Sequence, residues 1–205
     1  MSGNLFVVSA PSGAGKTSLV AALLDVDPMV RKSVSFTTRA PRPGEVNGRE
    51  YNFVTVDEFE RMRAHNEFVE SALVHGNHYG TSHQWMTSRM AEGHDILLEI
   101  DWQGAAQVRR VNPAAISIFI LPPSYAALLL RLNNRATDAP EIIAQRLHNA
   151  REEMSHLFDF NYVIINEDFD RAAQELASIV TAERLKLARQ TGRHQELIDQ
   201  LLHPK

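Results

Sequence analysis

Hydrophobic positions fall in short continuous runs rather than alternating with polar ones. Leu5-Phe6-Val7-Val8, "DILLEI" at 95–100, "AISIFIL" at 115–121 and "YVIIN" at 162–166 are apolar at nearly successive positions. A strand with one wet face alternates, whereas a run without alternation is a strand buried on both faces, as in parallel sheets. Each run stops at polar or turn-forming residues: Ser9-Ala10-Pro11, Asp101, Pro122-Pro123 and Asn166. A central strand does not run on through prolines. Between the runs the spacing becomes helical; Leu19, Val20, Leu23 and Leu24 share a face that ends before Asp27-Pro28. The pattern predicts an α/β fold, a parallel sheet covered by helices on both faces, with ligands bound where the polar strand ends collect.

Two stretches depart from that pattern. Residues 33–90 carry shorter alternating pieces and a concentration of Arg, Tyr and Glu, and are expected to form an inserted lobe. Residues 124–157 read as two arginine-rich helices joined by "NNRATDAPE", with Asp138 capping the second, Glu141 reaching back and Pro140 in its first turn. The core is then 1–32, 91–123 and 158–205. Its tail, 170–202, reads as an amphipathic helix broken at Thr191-Gly192, with Leu176, Ile179 and Val180 on the apolar face.

Composition narrows the function classes. The 205 residues suit one domain with inserted lobes. A net charge of -4 supplies no basic field for nucleic acid or an anionic membrane. With no Cys, thiol catalysis, disulfides and Cys-ligated zinc are excluded. "MSGNLFVVSAP" has no basic leader and too short an apolar run to span a bilayer, so a cytoplasmic location is expected. His75, His78 and His83 form no i,i+4 pair and read as loop histidines rather than metal ligands, and Trp85 and Trp102 read as packing residues.

Directly after the first run comes "SAPSGAGKTSL", 9–19, which fits G-x-x-x-x-G-K-[ST] except that Ala10 replaces the opening glycine. Such a loop converges backbone N–H groups on phosphate oxygens, and Gly13 and Gly15 allow the close approach. Lys16 would reach the β/γ-phosphates and Thr17 would place its hydroxyl on Mg²⁺. Ala10 is a turn-entry position that tolerates a methyl if its φ is negative. The rival reading, a plain strand-to-helix turn with an exposed lysine, ignores the strand–loop–helix context that the motif requires. This makes the core P-loop NTPase-type, with Ala10, Pro11, Ser12, Gly13, Ala14, Gly15, Lys16, Thr17 and Ser18 as the ATP-binding loop.

The phosphate acceptor is read from "SVSFTTRAPRPGEVNGREYNF", 33–53, where Arg39 and Arg42 flank a turn near Tyr51. Arginine forks grip phosphate bidentately and tyrosine hydroxyls add donors, yet alone the stretch reads equally as a solvated basic turn. "NEFVESALVHGNHYGTS", 66–82, adds Glu70, Tyr79 and Thr81. With "EIDWQGA", "IFILPPS" and "MSHLFDFNYVIINEDF" in this order, the chain resembles the guanylate kinase family from about Leu5 to the C-terminal helix.

That resemblance implies transfer of the γ-phosphoryl of ATP to GMP, with Mg²⁺, in purine nucleotide synthesis. It implies that Glu70 and Asp101 face the donor edge of guanine, with Ser35 and Thr81 completing the base site. It implies that Arg39, Arg42, Tyr51 and Tyr79 hold the GMP phosphate, although each tyrosine also reads as a core-edge aromatic. The inserted lobe becomes the GMP-binding lobe and the helix pair a lid, from which Arg135 and Arg146 would act on the transferring group. Arg131 resembles a lid arginine that approaches the adenine or phosphates and reads equally as a helix-surface residue; Asn166 resembles a position near the adenine. Glu99 stands where the family has Asp and would orient Mg²⁺ through water. Ala136 replaces a lid glycine, and Phe36 sits where a polar residue is more frequent.

Two other function classes compete. Guanylate-kinase-like domains that serve as interaction modules lack the loop lysine or the lid arginines, but Lys16, Thr17, Arg135 and Arg146 are all present. A P-loop kinase for another phosphorylated small molecule would not need Glu70 and Asp101 beside Arg39, Arg42 and Tyr51. The partners expected are ATP and GMP, with no nucleic acid or membrane; monomer and homo-oligomer stay equally open.

Overall fold

The computed structural model describes residues 2–74, 76–133 and 140–204, the side chains of 140–144 excepted. The first elements are β1 (Leu5–Ser9), α1 (Lys16–Val26), β2 (Val30–Lys32), β3 (Phe36–Thr37), β4 (Asn52–Phe53) and α2 (Val56–Ala64). There follow β5 (Phe68–Val74), β6 (Asn77–Ser82), α3 (His83–Ala91), β7 (Asp95–Glu99), α4 (Trp102–Val111) and β8 (Ile116–Leu121). The chain continues through α5 (Tyr125–Asn133), α6 (Pro140–Ser155), β9 (Tyr162–Ile165), α7 (Phe169–Leu185), α8 (Leu187–Arg193) and α9 (Gln195–Leu202).

The apolar runs become β1, β7, β8 and β9 of a parallel sheet in the order β2-β7-β1-β8-β9. Successive residues of β1 serve opposite faces. Phe6 and Val8 pack with Leu19, Val20 and Leu23 of α1 and Leu176 and Val180 of α7. Leu5 and Val7 pack with Met86 of α3 and Ala105 and Val108 of α4. Burial on both faces is why the run has no polar alternation, and each such large side chain contributes roughly 1.5–3 kcal/mol. The register, with Val8 opposite both Glu99 and Ile118 and Leu121 opposite Ile165, brings the strand C-termini to one edge.

A second sheet, ordered β4-β3-β6-β5, is built from the stretch read as an inserted lobe. Its strands pair antiparallel except β3 with β4. Phe59 of α2 is fully buried and stacks on Phe68 and His78, with ring centroids 4.6 and 5.2 Å apart. α3 instead packs on the parallel sheet through Met86, with Trp85 beside it. α5 and α6 share a small core of Leu128, Leu132 and Ala150.

Three features differ from the expectations. β2 is a three-residue edge strand whose alternating exposure gives no apolar run. α2, capped by the Thr55 hydroxyl on the Glu58 N–H, went unforeseen because its exposed face is strongly charged. The tail does not break at Thr191-Gly192; α8 runs through both, and the breaks fall at Lys186 and His194. A helical glycine costs only about 1 kcal/mol relative to alanine, which neighbouring contacts outweigh. The cap expected from Asp138 with Glu141, the arginine Arg135, its neighbour Ala136, and His75 lie outside the described residues and side chains.

Candidate active site

The loop between β1 and α1 lies on the edge where the strands end. Gly13 and Gly15 adopt φ of 90° and 94°, the left-handed conformations that turn the loop. Asn66 is the non-glycine residue with positive φ among the described residues, so Ala10 sits in ordinary backbone and its methyl is tolerated. Asn166, just past β9, donates its amide to the Ala14 carbonyl at 2.7 Å. A Cβ at position 15 would collide with that amide, so glycine is needed there for close approach as well as for its φ. Arg131 donates to the Asn166 carbonyl at 2.9 Å and reaches the Ala14 carbonyl at 3.5 Å. It braces the loop from α5 and is not a free surface arginine.

Lys16 is half-buried and donates to the Ile100 carbonyl at 3.1 Å. Burial pulls its pKa below the ordinary lysine range against the pull of Glu99, Asp101 and Glu153. Thr17 donates its hydroxyl to Glu99 Oε1 at 2.5 Å, and Lys32 donates to Glu99 Oε2 at 2.6 Å. Burial alone would raise the Glu99 pKa, but Lys16 and Lys32 hold it below the usual carboxylate value.

Across the β7 edge lies a cavity of about 240 Å³, lined by Ser35, Tyr51, Glu70, Tyr79, Glu99 and Asp101 among others. Glu70 on β5 faces Thr81 on β6, whose hydroxyl donates to Glu70 Oε1 at 2.6 Å; Ser35 Oγ lies 3.5 Å from that hydroxyl. Burial raises the Glu70 pKa to about 7, with Thr81 opposing and Asp101 adding to the rise. Asp101 caps α4, one oxygen accepting the Gly104 N–H at 2.8 Å. At the rim, Arg39 pairs with Glu45 at 2.8 Å and lies 5.4 Å from the Tyr51 ring centroid. Glu45 also accepts the Arg42 backbone N–H at 2.7 Å, which shapes the turn carrying both arginines. Tyr51 and Tyr79 meet edge to face with centroids 5.7 Å apart.

The family model described as guanylate kinase matches residues 2–183. The chain belongs to the guanylate kinase family. It is 55% identical over 202 residues to the guanylate kinase of Methylobacillus flagellatus, covering 98% of this chain and 100% of that protein. It is 53% identical, with the same coverage, to the guanylate kinase of Dechloromonas aromatica. The crystal structure of guanylate kinase from Anaplasma phagocytophilum superposes with a TM-score of 0.77 at 36% identity, covering 92% of this chain and 89% of that one. No described helix is long and apolar enough to cross a membrane.

Of the residues that the guanylate kinase resemblance assigns, the structure gathers Ser35, Tyr51, Glu70, Tyr79 and Asp101 around the cavity, with Thr81 bonded to Glu70 and Arg39 over the Tyr51 ring. Arg146 lies on α6. Glu153, two turns further along α6, accepts the Ser12 backbone N–H at 3.2 Å, so a carboxylate of the helix pair rests on the phosphate loop. Burial pushes the Glu153 pKa up. Lys32, Glu45, Gly104 and Glu153 were missed from the sequence; only Glu45, in "PRPGE" beside Arg42, had a local signal.

The donor set suits Mg²⁺. The Thr17 hydroxyl and the Glu99 carboxylate are adjacent hard oxygens, whereas no three His, Asp or Glu converge among the described residues. Mg²⁺ is held by one or two protein oxygens together with waters and substrate phosphates, and Ca²⁺ or Zn²⁺ by fuller protein cages. Trp102 stacks on His156, with centroids 3.6 Å apart, and is a packing residue here.

Proposed function

We propose a division of labour at this site for ATP:GMP phosphotransfer, the reaction of the guanylate kinase family. The observation that carries it is the double role of Glu99. Its carboxylate lines the cavity of Glu70 and Asp101 and also bonds Thr17 of the phosphate loop, so acceptor and donor sites share a wall.

On the donor side, loop N–H groups from residues 10–18 and the Lys16 ammonium hold the ATP phosphates, and Arg131 and Asn166 keep the loop in shape. On the acceptor side, guanine presents N1–H and N2 donors to Glu70 and Asp101, with Ser35 and Thr81 completing the base site. Arg39, Arg42, Tyr51 and Tyr79 bind the GMP phosphate. Arg135 and, from α6, Arg146 stabilise charge on the transferring group, with the helix pair acting as a lid. Thr17, and Glu99 through water, would hold Mg²⁺, which would supply charge neutralisation on the donor side. No general base is required, because the accepting phosphate oxygen is already largely ionised near neutral pH. What the chain contributes is alignment of two phosphates and exclusion of water.

The test is ADP release from Mg²⁺-ATP with GMP, IMP, AMP or no acceptor, for wild type and Lys16→Ala. Turnover should be strong with GMP, weaker with IMP, which lacks the N2 amino group, and absent with AMP. Adenine presents no N1–H or N2 donor to Glu70 and Asp101, a penalty of ~10⁴-fold in a site built on hydrogen bonds. The Lys16→Ala variant should be silent. Turnover with AMP in preference to GMP would overturn the roles given to Glu70 and Asp101.

A further inference from the structure

We propose that Lys32 is a positioning residue for phosphoryl transfer, acting through Glu99. It holds one carboxylate oxygen so that the other stays on Thr17.

The geometry is specific. Lys32 ends β2 and Glu99 ends β7, and the parallel register sets Lys32 beside Leu97, two residues before Glu99 on the same face of the sheet. The ammonium therefore reaches diagonally to Glu99 Oε2 at 2.6 Å while Oε1 accepts the Thr17 hydroxyl at 2.5 Å. The Glu99 side chain is only 11% exposed, so its three torsions are fixed by these two bonds and by packing. The other ammonium acting on Glu99 is that of Lys16, which now bonds the Ile100 carbonyl. Without Lys32, Glu99 would turn toward Lys16, leaving Thr17 and drawing the loop lysine from the phosphates. Lys32 keeps the two apart. An exposed ion pair with no further role would add little to stability and leave the chemistry untouched.

The inference rests on Thr17 and Glu99 forming the Mg²⁺ subsite, and its test separates the two claims. Binding of a non-hydrolysable ATP analogue is measured by calorimetry with Mg²⁺ and with excess EDTA, alongside kcat and the GMP KM. Lys32→Met, Lys32→Gln and Lys32→Arg are compared with wild type. Lys32→Met should shrink the Mg²⁺-dependent gain in analogue affinity and lower kcat, each by about tenfold, the usual cost of losing a group that orients a metal ligand. Metal-free affinity and the GMP KM should stay within about twofold, and Lys32→Arg should recover most of the loss. Lys32→Gln, which keeps a donor without the charge, should fall between, and it carries the test if the methionine variant does not fold. An unchanged Mg²⁺-dependent gain and kcat would overturn the proposal, as would equal losses with and without metal, which mark a general attraction for phosphate. A wild type with no Mg²⁺-dependent gain would instead overturn the subsite itself.

Discussion

In the proposed site Glu70 would couple recognition of guanine to the stability of the fold, and the coupling has a sign. Burial moves its pKa from 4.5 to about 7, so the folded chain binds this proton more tightly than the unfolded chain. The stabilisation is fully present below about pH 4.5, is lost as pH rises through about 7 and is absent above. At 1.36 kcal/mol per pKa unit the loss is about 3 kcal/mol. Guanine, in contrast, needs the ionised carboxylate as acceptor. Guanosine affinity should therefore weaken about tenfold from pH 8 to pH 6, guanosine being chosen because the phosphate of GMP titrates near pH 6 itself. Glu70→Gln keeps an oxygen for the Thr81 hydroxyl and removes the charge. Urea denaturation should show the variant level with wild type at pH 4.5 and more stable by up to about 3 kcal/mol at pH 8. Calorimetry should show weak guanosine binding by the variant that no longer depends on pH. A wild-type guanosine affinity that is flat from pH 6 to 8, or a variant without a stability gain at pH 8, would refute the reasoning.

Two further substitutions probe the supports of the site. A Cβ at Gly104 would lie 2.7 Å from Glu70 Oε2 and 3.2 Å from Ile100 Cδ1, so Gly104→Ala must push the carboxylate into the cavity. Steady-state kinetics should show a GMP KM raised about tenfold or more with the ATP KM unchanged, since displacements of about 1 Å carry such costs. Arg184 of α7 bonds Asp95 and Asp27, each at 2.6 Å, at the opposite end of the sheet from the site. Arg184→Met removes the counter-charge of both carboxylates, which keep the Asn4 and Met29 backbone N–H donors, and should cost about 3 kcal/mol in denaturant melts, the lower end for breaking a buried pair because Arg184 is partly exposed. Activity per folded molecule should not change.

The double burial of β1 imposes one apolar residue after another, and the phosphate loop is a contiguous motif bent by Gly13 and Gly15. Both features are local, so the parallel core and the shape of the loop after β1 were determined by the sequence itself. Arg39 and Tyr51 stood out by residue type, but their roles and those of Glu70 and Asp101 came only through a family resemblance, since no spacing along the chain predicts that Tyr51, Glu70 and Asp101 share a cavity. The tertiary structure alone decided which distant groups meet. Lys32 finds Glu99 across 67 positions and Glu153 finds Ser12 across 141, while Gly104 is needed because Glu70 crosses the start of α4. The tail gives the same lesson: Thr191-Gly192 looks like a break, yet Thr191 bonds back to the Leu187 carbonyl and the helix continues. Local propensity is worth about a kilocalorie per residue and repeats along the chain, so it can be read there. A buried charge has no periodicity, and its partner is chosen by whichever strand the sheet sets beside it.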